Sequence, residues 1–230
     1  MPIALITGAS RGLGRAAAHA LAQRGWSLIV DARRADDLAD AMRGLADVAA
    51  VPGDVTDPGH RASLAAAVGR AGGLDVLVNN ASRLGPSPQP LLRDYPLDEL
   101  GRVYESNVVA PLALIQLLTA PLTAAAGTIV NVSSDAAVEA YPGWGGYGSA
   151  KAALDQLTAV LAAEEPSLHC YAFDPGDMRT DMHQQAFPGE DISDRPEPET
   201  VIPALLRLID ERPPSGRYRA SDLAAPAVTP

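Results

Sequence analysis

Tyr147 and Lys151, in the run YGSAK of residues 147–151, have the types and spacing that chemistry most needs. Lysine occurs once in the 230 residues, among 18 basic residues, and it stands four positions after a tyrosine. On a helix, positions i and i+4 share a face, so a phenol and an ammonium at this spacing can line one site. A free phenol titrates near pKa ~10 and is a poor base at neutral pH. Lowering it by about 2–3 units requires roughly 3–4 kcal/mol of preferential stabilisation of the phenolate. An ammonium is a compact charge that can supply part of this, whereas arginine brings a wide planar fork. A chance Tyr-x3-Lys pair on a helix surface is common in general. It is hard to credit for the only lysine in the chain.

A second chemical signal lies near the N-terminus. Gly8, Gly12 and Gly14, in TGASRGLGRAAA, follow an apolar run and precede an alanine-rich stretch. Glycines at a strand-to-helix switch let backbone approach a ligand, and the helix N-terminus then offers N–H groups and positive dipole to a pyrophosphate. Ser10, Arg11 and Leu13 belong to the same loop. The spacing is G-x3-G-x-G, which departs from the commonest dinucleotide fingerprint, and a plain tight turn is the alternative. After the second apolar run come Asp31, Arg33 and Arg34. Arginine forks suit the 2′-phosphate of NADP(H), with Arg33, Arg34 and Arg11 as its candidate contacts. Asp31 pointed at the adenosine ribose would instead bring NAD(H) back.

The elements that must position these groups are read from the alternation of short apolar runs and amphipathic stretches. Strands are expected at 3–7, 27–31, 48–51, 74–79, 127–133 and 168–173, apolar enough to be covered on both faces. Helices are expected near 12–24, 35–46, 58–70, 97–120, 147–165 and 199–211, with a last strand at GRYRAS. This order implies an α/β fold: a three-layer, doubly wound parallel sheet of the Rossmann type, as a single domain over 1–230. The acidic, proline-rich segment FPGEDISDRPEPET (187–200) reads as a mobile flap, centred on 183–199. Helices 97–120 and 147–165 carry apolar residues around much of their girth, such as Leu117 and Val160. They need more than one partner surface, through self-association into a homodimer or homotetramer or through deep burial.

Composition bounds the rest. The net charge of −10 argues against nucleic acid or an anionic membrane as partner. A single cysteine, Cys170, excludes an intrachain disulfide and reads as a buried strand thiol; no metal site is expected. The start MPIALITGAS lacks a basic region and a long apolar run, so a cytoplasmic enzyme is the expectation.

Taken together, TGASRGLG, GDV (53–55), NNAS (79–82), SN (106–107), IVNVSS (129–134), YGSAK and DPGDMRT (174–180) resemble the short-chain dehydrogenases/reductases along nearly the whole chain. All four asparagines, Asn79, Asn80, Asn107 and Asn131, fall within these motifs. The resemblance implies catalytic roles for Asn107, Ser134, Tyr147 and Lys151: Tyr147 as general acid/base, Lys151 as its electrostatic partner, Ser134 as the hydrogen bond to the substrate oxygen. Ser133, on the other face of the strand, is structural. Pro111 has no N–H for the Asn107 carbonyl, which is then free to hold a water in a proton relay. Asp54 and Val55 should flank the adenine, Asn80 and Ala81 pass under the riboses, and Pro175, Gly176, Met178 and Thr180 lie near the carboxamide. Ser82 and Ala137 depart from the family, which commonly has glycine there. The expected function is NADP(H)-preferring interconversion of a carbonyl and an alcohol on a small molecule. An NAD(H) alcohol dehydrogenase and a non-catalytic NADP(H) sensor are the alternatives. Substrate should meet 136–144 and 178–188, where Glu139 and Asp177 do not suit an anionic ligand.

Overall fold

The structure is a computed structural model and describes residues 1–223; positions 224–230 of the expected domain lie outside these. Seven strands form one parallel sheet in the order β3-β2-β1-β4-β5-β6-β7. They are β1 (Ile3–Ile6), β2 (Ser27–Val30), β3 (Val48–Ala50), β4 (Val76–Asn79), β5 (Thr128–Val132), β6 (His169–Asp174) and β7 (Gly216–Arg219). Helices α1 (Gly12–Gln23), α2 (Ala35–Ala41), α3 (Pro58–Ala71), α4 (Leu97–Tyr104), α5 (Ala110–Ala124) and α6 (Gly145–Glu164) connect them. The chain then adds α7 (Asp181–Ala186), α8 (Ile202–Glu211) and α9 (Ala220–Leu223). This is the doubly wound, single-domain fold that the alternation of runs implies.

Because successive strand residues point to opposite faces, one strand feeds two cores. Ala4 and Ile6 of β1 join Val30, Val78, Val130 and Phe173 beneath α1 and α8. Leu5 joins Ile29, Leu77, Ile129 and Cys170 beneath α3 and α5. Burial pushes the Cys170 thiol up to about 11, as befits an inert packing group. β3 is the exception, since Ala49 and Ala50 at the sheet edge are exposed. The helix expected over 35–46 stops at Ala41, and a turn with Gly44 at φ +82° follows. The 97–120 stretch is divided: α4 runs into a π-helical segment, Glu105–Val109, before α5. Segment 97–124 is long and apolar enough to cross a membrane. Here Leu114, Ile115, Leu118 and Leu122 spend that apolarity against the sheet. Leu117 (49% exposed) and Val160 (41%) remain uncovered on α5 and α6.

The chain reverses direction across the sheet between β1 and β4, where open α/β sheets place ligands. Two side chains tie this point together. Thr7 Oγ1 accepts the N–H groups of Asn80 and Ala81, both at 3.0 Å, and Asn80 Nδ2 donates to the carbonyl oxygens of Thr7 and Gly8. Gly14 packs directly onto this knot: a Cβ there would lie 2.5 Å from both Asn80 Nδ2 and the Gly8 carbonyl oxygen. Gly14→Ala is therefore an overpacking change, expected to cost about 1–3 kcal/mol and to lower the melting temperature by roughly 3–10 °C. An unchanged melting temperature would show that the loop has slack at this contact.

Candidate active site

A cleft of about 940 Å³ opens at the carboxyl ends of the strands. Every catalytic and cofactor residue singled out in the sequence lines it, except Gly14 and Asn107; of the expected substrate stretch 136–144 only Trp144 does, and Glu139 does not. Gly14 serves the loop packing just described.

At one end lies the glycine loop. Gly8 has φ +68°, and a Cβ there would lie 2.9 Å from Ala81 Cα, so glycine answers both torsion and space. Helix α1 begins with no side-chain cap on Arg11 and no acidic residue in its first turn. Its terminal N–H groups and dipole are thus left for a ligand. Asp31 does not turn toward that ligand. Its Oδ1 accepts the Gly8 N–H at 2.7 Å and its Oδ2 faces His60 Nε2 at 3.0 Å. Burial raises the Asp31 pKa, opposed by these two contacts. Asp54 Oδ1 accepts from Thr56 N and Oγ1; burial works against its charge, but these bonds and Arg33 hold its carboxyl below the usual range.

The arginines divide sharply. Arg11 pairs with Asp181 at 2.8 Å and Arg34 with Asp37 at 3.2 Å. Among the described residues Arg33 and Arg15 line the cleft without an ion pair. Arg15 was missed in the sequence; its signal was its place one helical turn after Arg11. Thr180 caps α7 through the His183 N–H, and its methyl stands near Gly12.

At the other end α6 brings Tyr147 and Lys151 to Ser134. A Cβ on Gly148 would lie 2.5 Å from the Ala136 carbonyl oxygen, so this turn approaches the Ser134 loop only because residue 148 lacks a side chain. Tyr147 is 8% exposed and Lys151 2%. Lys151 Nζ donates to the Val132 carbonyl oxygen at 2.7 Å and lies 5.5 Å from the Tyr147 ring centre. Burial lowers the Lys151 pKa to about 8, against the pull of Asp155. Burial also raises the Tyr147 phenol well above its ordinary value; the Ser82 and Ser134 hydroxyls oppose this, and Asp174 and Asp135 add to it. Desolvation therefore governs the phenol, and the groups that oppose it are the two serine hydroxyls.

Ser134 Oγ donates to Asp135 Oδ1 at 2.9 Å. Asn107 is fully buried within the π segment, behind the cleft. Its side chain holds the loop after β4, accepting from Ser82 Oγ and Arg83 N–H, both at 2.9 Å, and donating to the Arg83 carbonyl oxygen at 2.8 Å. Ser82, where glycine is common in the family, thus turns its hydroxyl to Asn107. The π turn closes with the Ala110 N–H on the Glu105 carbonyl, and Pro111 offers no N–H to the Asn107 carbonyl.

Known proteins match this arrangement. A family model described as short chain dehydrogenase matches residues 2–191. The chain belongs to the short-chain dehydrogenase family. It is an oxidoreductase acting on CH–OH and C=O groups. Sepiapterin reductase of Mus musculus is 35% identical over 201 residues, covering 80% of this chain and 77% of that protein. The structure of a putative short chain dehydrogenase from Pseudomonas syringae superposes with TM-score 0.89 at 30% identity, over 95% of this chain and 94% of that one. An alcohol dehydrogenase from the archaeon Thermococcus sibiricus, solved with 5-hydroxy-NADP, gives TM-score 0.84 at 26% identity over 95% of each chain.

One part of the site carried no motif. Arg217, on β7, donates to Asp174 Oδ2 at 2.8 Å, to Asp155 Oδ2 at 3.0 Å and to the Ser134 carbonyl oxygen at 2.9 Å. Asp155 lies one turn beyond Lys151 on α6, and Asp174 ends β6 before the Pro175–Gly176 turn. Arg217 thus offsets two carboxylates that raise the pKa values of Lys151 and Tyr147. Removing it in Arg217→Met leaves Asp155 without its guanidinium partner and Asp174 with only Arg219, at 3.9 Å, so the protonated phenol and ammonium persist to higher pH. The alkaline limb of the kcat–pH profile should move up by about one pH unit, and Arg217→Lys should largely restore it. An unmoved limb with lower activity would leave Arg217 a purely structural role.

Proposed function

We propose that this oxidoreductase prefers NADP(H) and interconverts a ketone, aldehyde or quinone with its alcohol, with Tyr147 as general acid/base. The observation that carries this reading is the convergence of the buried Tyr147 phenol, the Lys151 ammonium and the Ser134 hydroxyl at one end of the cleft, with free arginines at the other. The fit to a dinucleotide rests on the positive-φ Gly8, the uncapped α1 N-terminus and the unpaired Arg33. The bound dinucleotide supplies the hydride, two electrons with one proton, to the carbonyl carbon.

The chain's own residues do the remainder. Arg33 and Arg15 hold the 2′-phosphate, the α1 N-terminus the pyrophosphate, and Asp54 the adenine amino group. Ser134 Oγ, released from Asp135, hydrogen-bonds the substrate oxygen as charge develops there. The Tyr147 hydroxyl gives its proton to that oxygen, completing the alcohol. A phenol held protonated by burial suits this donating role. Lys151 Nζ stabilises the resulting phenolate, and the Asn107 carbonyl holds a water through which a solvent proton returns. Asp31 would have argued for NAD(H), but both of its oxygens are engaged, which supports NADP(H); so does the NADP-type ligand of the Thermococcus sibiricus neighbour. The segment 183–199, opening with the end of α7 and tied to Asp177 through Arg195, is proposed to close over bound substrate. Uncovered Leu117 and Val160 favour a homodimer or homotetramer through α5 and α6.

Two substitutions test the reading. Tyr147→Phe removes the exchangeable proton, and carbonyl reduction should fall by roughly 10²–10⁴-fold with NADPH affinity nearly unchanged. Turnover close to that of the parent would sink the mechanism. Arg33→Ala should weaken NADPH binding by roughly 10–100-fold, the size of a lost charge-assisted contact, and leave NADH binding little altered in a fluorescence titration. Equal losses for both dinucleotides would make Arg33 ordinary surface charge, and binding of NADPH without turnover of any carbonyl compound would favour a sensor.

A further inference from the structure

We infer that the substrate of the proposed reduction is an uncharged aryl ketone or quinone whose ring packs on Trp144. This rests on the carbonyl-reductase reading and adds its substrate class. Trp144, at the mouth of α6, stands edge-on to the Tyr147 ring with centres 5.9 Å apart. Phe187 backs it at 5.9 Å and is itself packed on His183 at 4.8 Å. Leu84 and Met182 extend the same apolar patch beside Tyr147. Trp144 is only half-buried and lines the cleft, so part of the indole is open to a ligand within reach of the phenol. A flat aromatic ring gains both apolar burial and favourable ring contacts on such a surface, where an aliphatic chain gains burial alone.

Charge decides the rest. At this end the arginines lining the cleft are already paired: Arg83 and Arg102 with Glu99, Arg179 with Glu197. Arg195 on the rim is shared by Asp177 and Asp194, and Lys151 is buried on the Val132 carbonyl. Asp135 and Asp177 add negative charge to the lining. A carboxylate or phosphate on the substrate would have to break an existing ion pair or sit beside an acid. The cations of the cleft that are unpaired among the described residues, Arg15 and Arg33, lie at the opposite end. The site therefore selects against anions as well as for rings.

Reduction moves one hydride from NADPH to the carbonyl carbon and one proton from Tyr147 to its oxygen, leaving NADP⁺ and the aryl alcohol. Methyl 4-acetylbenzoate and 4-acetylbenzoate share the ring and the reacting carbonyl and differ in a remote charge; 2-butanone lacks the ring. Steady-state assays with NADPH should give the ester a kcat/KM at least tenfold above the carboxylate. Trp144→Ala should cut the ester's kcat/KM about tenfold or more while changing that of 2-butanone less than about threefold, and Trp144→Phe should retain most of it. In the presence of NADP⁺, where nothing turns over, the ester should quench indole fluorescence in the parent and not in Trp144→Phe, which keeps Trp26 alone. Equal kcat/KM for ester and carboxylate, an equal effect of Trp144→Ala on ring-bearing and ring-free ketones, or absence of the Trp144 quench overturns the inference and leaves the reduction standing. NADPH binding without turnover of any of the three ketones overturns the inference, and the same result across aldehydes, ketones and quinones overturns the reduction itself.

Discussion

The burial of one ammonium is the constraint around which this molecule is arranged. Lys151 Nζ sits almost wholly out of water between α6 and β5, and a charge so placed is costly unless its surroundings answer it. The answers are the Val132 carbonyl at the end of β5 and the Asp155 carboxylate one helical turn on, while Arg217 from β7 tempers the latter and ties Asp155 to Asp174 and to the Ser134 backbone. The same burial acts on Tyr147, pushing its phenol up and keeping its proton in place. Burial, rather than the lysine's proximity, thus sets the resting state of the phenol.

This buried pair is compatible with a large open cleft because the two ends of the cleft differ in kind. One end is the reversal point between β1 and β4, where Thr7, Gly8, Asn80 and Asp31 knit the glycine loop to the sheet and leave the α1 N-terminus uncapped. Among the described residues Arg15 and Arg33 there carry no ion pair, as the proposed 2′-phosphate contact requires. The other end joins a phenol, two serine hydroxyls and an aromatic patch, with its arginines neutralised by acids. A molecule carrying phosphates and a molecule carrying a ring would thus be sorted by charge before any contact specific to either is made.

Several elements show where reading along the chain met its limits. The edge strand β3 looked like its neighbours, since VAAV is as apolar as a central strand and only the pairing order exposes Ala49 and Ala50. The π segment at Glu105–Val109 has no periodicity to announce it; Pro111 was its sole local trace. Helix α7 was hidden because its six residues are too few for an apolar face to repeat. Asp31 was weighed as a ribose contact, and the structure gave it other partners, His60 and the Gly8 amide, 29 and 23 positions away in the chain.

The sequence by itself determined the strand–helix alternation, and with it the doubly wound sheet, because apolar runs and glycine breaks are local properties. It also determined Tyr147 and Lys151 as a pair on one face of α6, since helical geometry fixes the relation of positions i and i+4. Family-ordered motifs placed Ser134 and Asn107 beside them. Only the tertiary structure decided which charges are free. Arg33 is unpaired and Arg83 is not, Arg217 joins Asp155 to Asp174 across α6, β6 and β7, and the phenol remains protonated. Pairing and desolvation depend on residues brought together from distant parts of the chain, and no local pattern encodes them.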